Sequence, residues 1–579
     1  MKKAISLLIV FILLMTCLVT AQNNTIGFTD VPSGNFYEGY INKLKELNIT
    51  NGIKPGVFGY NKDITRAEFL TFLVRLQNLQ PDKSVNTAMF SDVLVTDWHY
   101  SYINIGLKNG FIIKGDYSFG KFEPNKPINR EEMAVMIVRA LQYDSLAISV
   151  NYQSTQFKDV VKNIGYIELA KDLGILNGRK ADSFDPSARA MRQEAAAMLI
   201  RMYDIMNNKL NTVNGFYAIK SFEQVSKIKA FDSIGYGWSR LTYNPTSGQV
   251  EMTTENTTGG QPFYVPDDFQ LATVEADNNS VAKYITVFAS NQDLVTVNDK
   301  ATGLVSLLLS NDAAKQKLIG DIVNLSINLS NTSVSTQFDG VIIDFEGLKN
   351  FGMDKQSFVT FLTELKSQLT LNNKKLLVAI NPAREAGQAY FDGYDFAGIG
   401  KAADYVILMA HDYDPKYISS QDMQSFKGET PLAPIKDIYY AIKYAINGGQ
   451  GVPKEKLILQ INFSVAQWQF KNGVALNNTP YNPEYYKIVN RMADTNTEVK
   501  TFNYSEVYQA PYFIYEAEGI KNIIWYEDER SIEAKARLAK MLGLQGISFW
   551  RLGLIPDYPN AEYEKYNMDI WSIIDKYNN

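Results

Sequence analysis

The sequence predicts a multidomain chain: an α-helical repeat region, then an α/β unit of the (β/α)8 TIM-barrel type with a hairpin insertion. Three observations lead there. The pattern Phe-x-Asp-Val opens three successive stretches, at Phe28, Phe90 and Phe157. From about residue 214 onward, short apolar runs alternate with helical patterns. One of these runs, Gly340 to Glu346, carries an apolar strand straight into two carboxylates, Asp344 and Glu346.

At 579 residues the chain has room for roughly two to four domains. With 46% apolar and 21% charged residues it is globular rather than disordered. A net charge of −5 gives no reason to expect a nucleic-acid partner. Lys2 and Lys3 precede an apolar run from Ala4 to Val19, and Val19-Thr20-Ala21 offers a small-residue cleavage site. Residues 1–21 therefore read as a secretory signal peptide. A retained anchor competes with this, but the run is short for a span. So does lipid attachment at Cys17, although Leu14-Met15-Thr16 lacks the usual small-residue pattern. Cleavage after Ala21 leaves no cysteine, so core burial alone must hold the mature chain. No later segment is long and apolar enough to span a membrane.

The repeats are assigned to residues 28–85, 88–150 and 155–207. In each, Phe-x-Asp-Val is followed by a helical stripe (Tyr40, Ile41, Leu44 and Leu47 in the first). A glycine turn comes next, at Asn51-Gly52, Lys114-Gly115 or Asn177-Gly178. A second helix opens at Thr65-Arg66-Ala67-Glu68, Asn129-Arg130-Glu131-Glu132 or Met191-Arg192-Gln193-Glu194. Thr65 with Glu68 and Asn129 with Glu132 read as capping boxes; Met191 cannot cap. Capping needs no arginine, and a positive charge at a helix N-terminus opposes the dipole. Arg66, Arg130 and Arg192 are thus candidate anion ligands, with bracing of a neighbouring repeat as the structural alternative. The triplicate pattern resembles the S-layer homology domain. That resemblance implies a unit that holds secreted proteins on the bacterial cell wall or S-layer by binding acidic secondary cell-wall polysaccharide. It also implies that Arg66, Arg130 and Arg192 meet the polymer's carboxylates in grooves between repeats.

Residues 214–579 supply eight strand candidates: Ser233–Trp238, Tyr284–Ala289, Gly340–Glu346, Leu376–Asn381, Tyr405–His411, Leu457–Asn462, Ile523–Glu527 and Gly546–Trp550. Helical stretches fall between them at Ala313–Leu325, Gln356–Leu369, Ile435–Ala445 and Ile532–Leu542. Strands alternating with crossovers give a (β/α)8 barrel, whose chemistry sits at the C-terminal strand ends. Arg240–Gly260, with turn signals at Asn244-Pro245 and Ser247-Gly248, reads as a hairpin over the barrel mouth. Asn472 to Glu498 shows no clear periodicity.

Asp344 and Glu346 are two apart, so on a strand both face one side, and each perturbs the other's ionisation. An ion-paired strand end is the plain alternative. Other strand ends add His411-Asp412-Tyr413, Trp525-Tyr526-Glu527-Asp528 and Phe549-Trp550. Carboxylates ringed by aromatics suit a sugar site, because aromatic faces stack on pyranose rings and carboxylates move protons.

Asp339-Gly340 through Asp344-Phe345-Glu346 resembles the signature of glycoside hydrolase family 18, the chitinase-like family. Ser310-Asn311-Asp312-Ala313-Ala314, Trp525 to Ser531 with Lys535, and Gly546 to Leu554 resemble its spore-peptidoglycan-hydrolase subgroup, the cortical-fragment-lytic N-acetylglucosaminidase type. The resemblance implies substrate-assisted retaining catalysis. Glu346 would protonate the glycosidic oxygen, and the sugar's own 2-acetamido oxygen would attack the anomeric carbon. Asp344 would orient the acetamide and stabilise its developing charge. The implied substrate is a β-linked N-acetylhexosamine glycan, peptidoglycan first and chitin-type second. Trp550 would floor the sugar site, and Asp412, Tyr413, Trp525 and Asp339 are further candidate substrate contacts. No cofactor or metal is expected, since His99 and His411 are the only histidines. Two departures stand out. The family carries Asp or Asn where Ile342 stands, and Tyr where His411 stands. A neutral imidazole can donate the bond that the tyrosine would. These departures favour the competing function, an impaired barrel serving as a surface glycan-binding protein, whether lectin or structural S-layer component.

Overall fold

The structure, a computed structural model, describes residues 27–81, 90–150, 155–218, 220–256, 262–330, 335–349, 354–383, 392–411, 418–494, 500–558 and 564–578. The expected signal segment lies outside them. Two compact units result, one ending at Asp204 and one beginning at Ile205. No helix among the described residues is long and apolar enough to cross a membrane.

In the first unit each repeat is a helix pair: α1 (Glu38–Glu46) with α2 (Arg66–Leu76), α3 (Tyr100–Lys108) with α4 (Arg130–Ala140), and α5 (Ile164–Asp172) with α6 (Arg192–Met206). The aspartate of each Phe-x-Asp-Val clamps the loop before the second helix. Asp30 accepts the backbone N–H groups of Phe58, Gly59 and Tyr60 at 2.7 to 2.8 Å. Asp92 and Asp159 do the same for Phe122 with Glu123 and for Phe184 with Asp185. The motif phenylalanine packs on the loop's own, with ring centroids 5.5 Å apart for Phe28–Phe58 and 5.6 Å for Phe157–Phe184. Gly52 turns the chain at φ 88°, and a Cβ there would lie 2.2 Å from the Val57 carbonyl. Both expected capping boxes form. In the third repeat only Glu194 reaches back, accepting the Met191 N–H at 2.8 Å.

The repeats close on themselves. Ile64 donates its N–H to Ala190, Ala190 to Ile128, and Ile128 to Ile64, a backbone cycle with near three-fold symmetry. Repetition of the sequence thus becomes a ring rather than an open stack.

The second unit is the barrel. Its strands are β1 (Thr212–Tyr217), β2 (Ser233–Asn244), β3 (Ala282–Ser290), β4 (Gly340–Glu346), β5 (Lys375–Ile380), β6 (Tyr405–Leu408), β7 (Leu457–Asn462) and β8 (Gly546–Trp550). All neighbours pair in parallel, and β1 joins both β8 and β2, closing the cylinder. Phe216, Tyr284, Ile342, Leu377, Ile407 and Ile458 fill the interior. β2 continues into the expected hairpin, returning over Gln249–Thr253.

Two sequence expectations need correction. Ile523–Glu527 is not a barrel strand. Ile520–Trp525 lies in a separate five-stranded antiparallel sheet inserted between β7 and the helix Glu529–Leu542. The first barrel strand is instead Thr212–Tyr217, where Thr212, Asn214 and Gly215 break up the apolar run that flagged the others. The stretch without apparent period contains a hairpin turn and the helix Tyr485–Ala493, whose buried Tyr485, Ile488, Val489 and Met492 follow the helical spacing.

Candidate active site

Strand alternation sets the site. Gly340, Ile342, Asp344 and Glu346 face the barrel interior in ascending order, while Val341, Ile343 and Phe345 face the helices. Phe345 stacks on Phe358 and Phe361 with centroids 5.9 and 5.8 Å apart, which anchors the strand from outside. Asp344 pairs in register with Phe288 on β3 and Ala379 on β5. It is 3% exposed, and its Oδ1 has no hydrogen-bond partner among the described residues. Burial pushes its carboxyl well above the ordinary carboxylate range, and the nearby charge of Glu346 pushes it further. The side chain one layer below is Ile342, fully enclosed in the barrel core. An Asp or Asn there would face Asp344; an isoleucine leaves it without that partner.

Glu346 ends β4 half-buried. The backbone on both sides of it is tied. The Gly347 N–H donates to Asn381 Oδ1 at 3.0 Å. The Tyr394 hydroxyl stands 2.7 Å from the Phe345 carbonyl and 2.8 Å from Asn381 Oδ1, and donates to one of the two. Sequence reasoning missed both residues. Asn381, at the end of a strand candidate, carried a positional signal; Tyr394 carried none.

His411 reaches the same interior from beyond β6. Its Nε2 lies 2.9 Å from Oε1 of Gln460, a buried residue on β7. An Nε2–H donated to that oxygen makes Nδ1 the acceptor of a neutral ring, so donating to a ligand from Nδ1 takes a second proton. Trp550 ends β8 half-buried, 5.2 Å from the Phe216 ring, and covers the core from the mouth side. Asp344, Glu346, His411 and Trp550 therefore all belong to the C-terminal ends of barrel strands.

The remaining candidates do not join them. Asp412 and Tyr413 lie outside the described residues. Asp339 sits at the opposite end of β4, about 20 Å down the strand from Glu346. Its carboxylate accepts the Lys283 N–H at 2.8 Å, a register lock rather than a substrate contact. Trp525 is buried in the inserted sheet against Tyr512, and its Nε1 donates to the Gly428 carbonyl at 2.6 Å. Glu527 is engaged as well, ion-paired with buried Lys535 and accepting from Ser531 at 2.6 Å. No cluster of His, Cys, Asp and Glu able to hold a metal occurs among the described residues.

In the repeat unit the arginines turn inward. Arg66 bonds Glu132, and also Glu123 and the Phe122 carbonyl at 2.9 and 3.0 Å. Arg192 donates to Glu68 at 2.9 Å beneath the rings of Phe58 and Phe72. Arg130 donates to the carbonyls of Phe184 and Asn177 at 2.9 and 2.8 Å, and stands 3.7 Å from Glu194. Each arginine thus braces the next repeat, in cyclic order.

A closed parallel barrel with acids on the inner face of its fourth strand and an indole ending its eighth defines the class as a TIM barrel with a candidate site at its C-terminal mouth. Residues 298–554 match the model of glycosyl hydrolases family 18, and residues 27–70, 90–134 and 156–196 match the S-layer homology domain. The chain carries a family 18 domain preceded by three S-layer homology domains. It is 28% identical over 251 residues to the cortical fragment-lytic enzyme of Bacillus subtilis (strain 168), covering 43% of this chain and 52% of that protein. It is 29% identical to a cell surface protein of Thermoanaerobacter kivui, covering 31% of this chain and 22% of that one. The crystal structure of the Bacillus megaterium QM B1551 spore cortex-lytic enzyme SleL aligns with TM-score 0.46 and 21% identity, over 64% of this chain and 75% of that one. The chain spans about half the length of the B. subtilis relative it matches.

Proposed function

We propose that this protein is a secreted, wall-anchored glycoside hydrolase that cleaves β-linked N-acetylhexosamine glycans by substrate-assisted retaining catalysis. Peptidoglycan is the preferred substrate and chitin-type glycan the second. One observation carries the reading: Asp344 is buried directly below Glu346, with an oxygen that no described residue satisfies. A neutral carboxyl there can donate to a substrate acetamide, and after ionising it can stabilise the charge that develops on it. Glu346 would serve as acid and then base, a role supported by its half-buried position between backbone groups tied by Asn381 and Tyr394. The family 18 match and the cortical fragment-lytic relative support the substrate class. The S-layer homology matches support attachment to cell-wall polysaccharide. The reading is tested with peptidoglycan before and after N-deacetylation, the first-formed anomer being read by proton NMR. Intact glycan is expected to give the β-anomer first, and deacetylated glycan no product. Equal cleavage of both would remove the acetamide from the mechanism.

The competing reading, a glycan-binding barrel without turnover, is favoured by Ile342, which deprives Asp344 of an inner partner. The same NMR experiment decides it: binding of intact glycan with no product at all would favour the lectin.

A further inference from the structure

Two substrates suit the barrel as described, peptidoglycan and chitin-type glycan. Their sugar chains share the 2-acetamido group and are uncharged along it. Only peptidoglycan carries short peptide branches, and those bear carboxylates. A site for the branch would tell the two apart, and the inserted sheet offers one beside the barrel mouth. Asn462, ending β7, pairs with Trp550, and Ala466, four residues on, pairs with Trp525. Four residues span at most about 14 Å, so the sheet starts within reach of the candidate site.

A groove of about 370 Å³ runs from Trp525 along one face of this sheet. Alternation puts Trp525, Ile523 and Lys521 on that face, with Tyr512 and Ile514 paired opposite the first two. Lys521 pairs with Phe470, so it stands about 13 Å beyond Trp525, further from where the chain leaves β7. The facing wall is Lys427-Gly428-Glu429. Only a glycine lets it lie this close: at φ 76°, a Cβ on Gly428 would sit 2.8 Å from Ile523 Cδ1 and 3.1 Å from the Phe470 ring. The Trp525 indole holds the Gly428 carbonyl from below, which fixes Lys427 at the rim. Lys427 and Lys521 are both exposed, and neither is ion-paired among the described residues, not even with Glu429 across the groove. The groove is therefore aromatic and apolar at its barrel end and cationic beyond.

We propose that this groove binds the acidic peptide branch of peptidoglycan, with the branch carboxylates at Lys427 and Lys521, and so selects peptidoglycan over chitin-type glycan. An extended peptide advances about 3.4 Å per residue, so the groove takes three or four residues. Part-exposed Tyr512 and Ile514 supply the floor for small side chains, and the two lysines supply charge that a neutral sugar chain cannot use. The inference rests on the hydrolase function proposed above and names the feature of the substrate that the chain recognises.

The test uses the full chain and soluble peptidoglycan strands freed of secondary polysaccharide, either intact or stripped of their peptides by an N-acetylmuramoyl-L-alanine amidase. Wild type is expected to show a KM about fivefold lower on intact strands than on stripped ones, with kcat alike. K427Q/K521Q is expected to raise KM on intact strands about fivefold and to leave stripped strands within about twofold of wild type. A matched thermal melt establishes that the variant folds. Equal KM for wild type on both strands would overturn the peptide site. A retained preference for intact strands in K427Q/K521Q would overturn its placement in this groove. An equal rise on stripped strands would give the groove to the sugar chain instead. If wild type cleaves neither strand, the hydrolase reading fails separately, and Kd values for the same strands, read by fluorescence anisotropy, decide the peptide site by the same comparisons.

Discussion

In the repeat unit Arg66 is buried with two carboxylates and a carbonyl around its guanidinium. In the barrel Asp344 is buried with an oxygen that no described residue satisfies. Both belong to conspicuous sequence motifs, and both place charge where water is scarce. The repeat motif spends its charges internally: aspartates clamp loops, glutamates cap helices, arginines tie one repeat to the next. Among the described residues the barrel motif leaves an Asp344 oxygen without a partner, which costs about 1 to 3 kcal/mol and accords with the catalytic role proposed for it. Prominence of a motif therefore does not separate scaffold from chemistry; the state of its hydrogen bonds does.

Glu346→Gln tests the barrel half of that contrast with the largest effect. It is expected to lower hydrolysis by about a thousandfold while leaving the melting temperature near that of wild type. Arg66→Ala tests the repeat half. Losing the buried guanidinium's bonds to Glu132 and the Phe122 carbonyl should destabilise the repeat unit by about 3 kcal/mol, seen as an earlier melt of that unit with barrel turnover intact. Lost activity without a shifted melt would reverse the roles given to the two regions. Tyr394→Phe removes the hydroxyl behind Glu346, and kcat should fall about tenfold with KM little changed.

The raised pKa of Asp344 has a defined sign. The group is easier to keep protonated in the fold than in the unfolded chain, so its contribution to stability is full below the ordinary carboxylate range and is lost as pH rises through its folded value. Glu346→Gln removes the neighbouring charge and should shrink that loss in melts taken across acid to neutral pH. Trp525→Phe should have the smallest catalytic effect: turnover within about twofold, and stability lower by about 1 kcal/mol from the lost bond to Gly428.

Much of the fold was legible because its signals are periodic. Seven of the eight barrel strands announce themselves as short, mostly apolar runs, and three Phe-x-Asp-Val openings mark the repeats. Thr212–Tyr217 hid because it buries Asn214 through a bond to Ser233 rather than through apolarity. Ile520–Trp525 misled because an apolar run does not reveal whether its partners are parallel or antiparallel. Asp344 and Glu346 stood out because their spacing puts them on one face. Gln460, Asn381 and Tyr394 did not, since their roles arise only when separate strands close into a cylinder. The inward turn of the arginines was equally hidden, because their partners lie in the next repeat.

The most direct measurement is digestion of purified peptidoglycan by wild type and Glu346→Gln, with the products read by mass spectrometry. Wild type is expected to release fragments with a reducing N-acetylhexosamine end, and the variant none. Glycan bound by both and cleaved by neither would contradict the hydrolase reading, and would mark the barrel as a binding module.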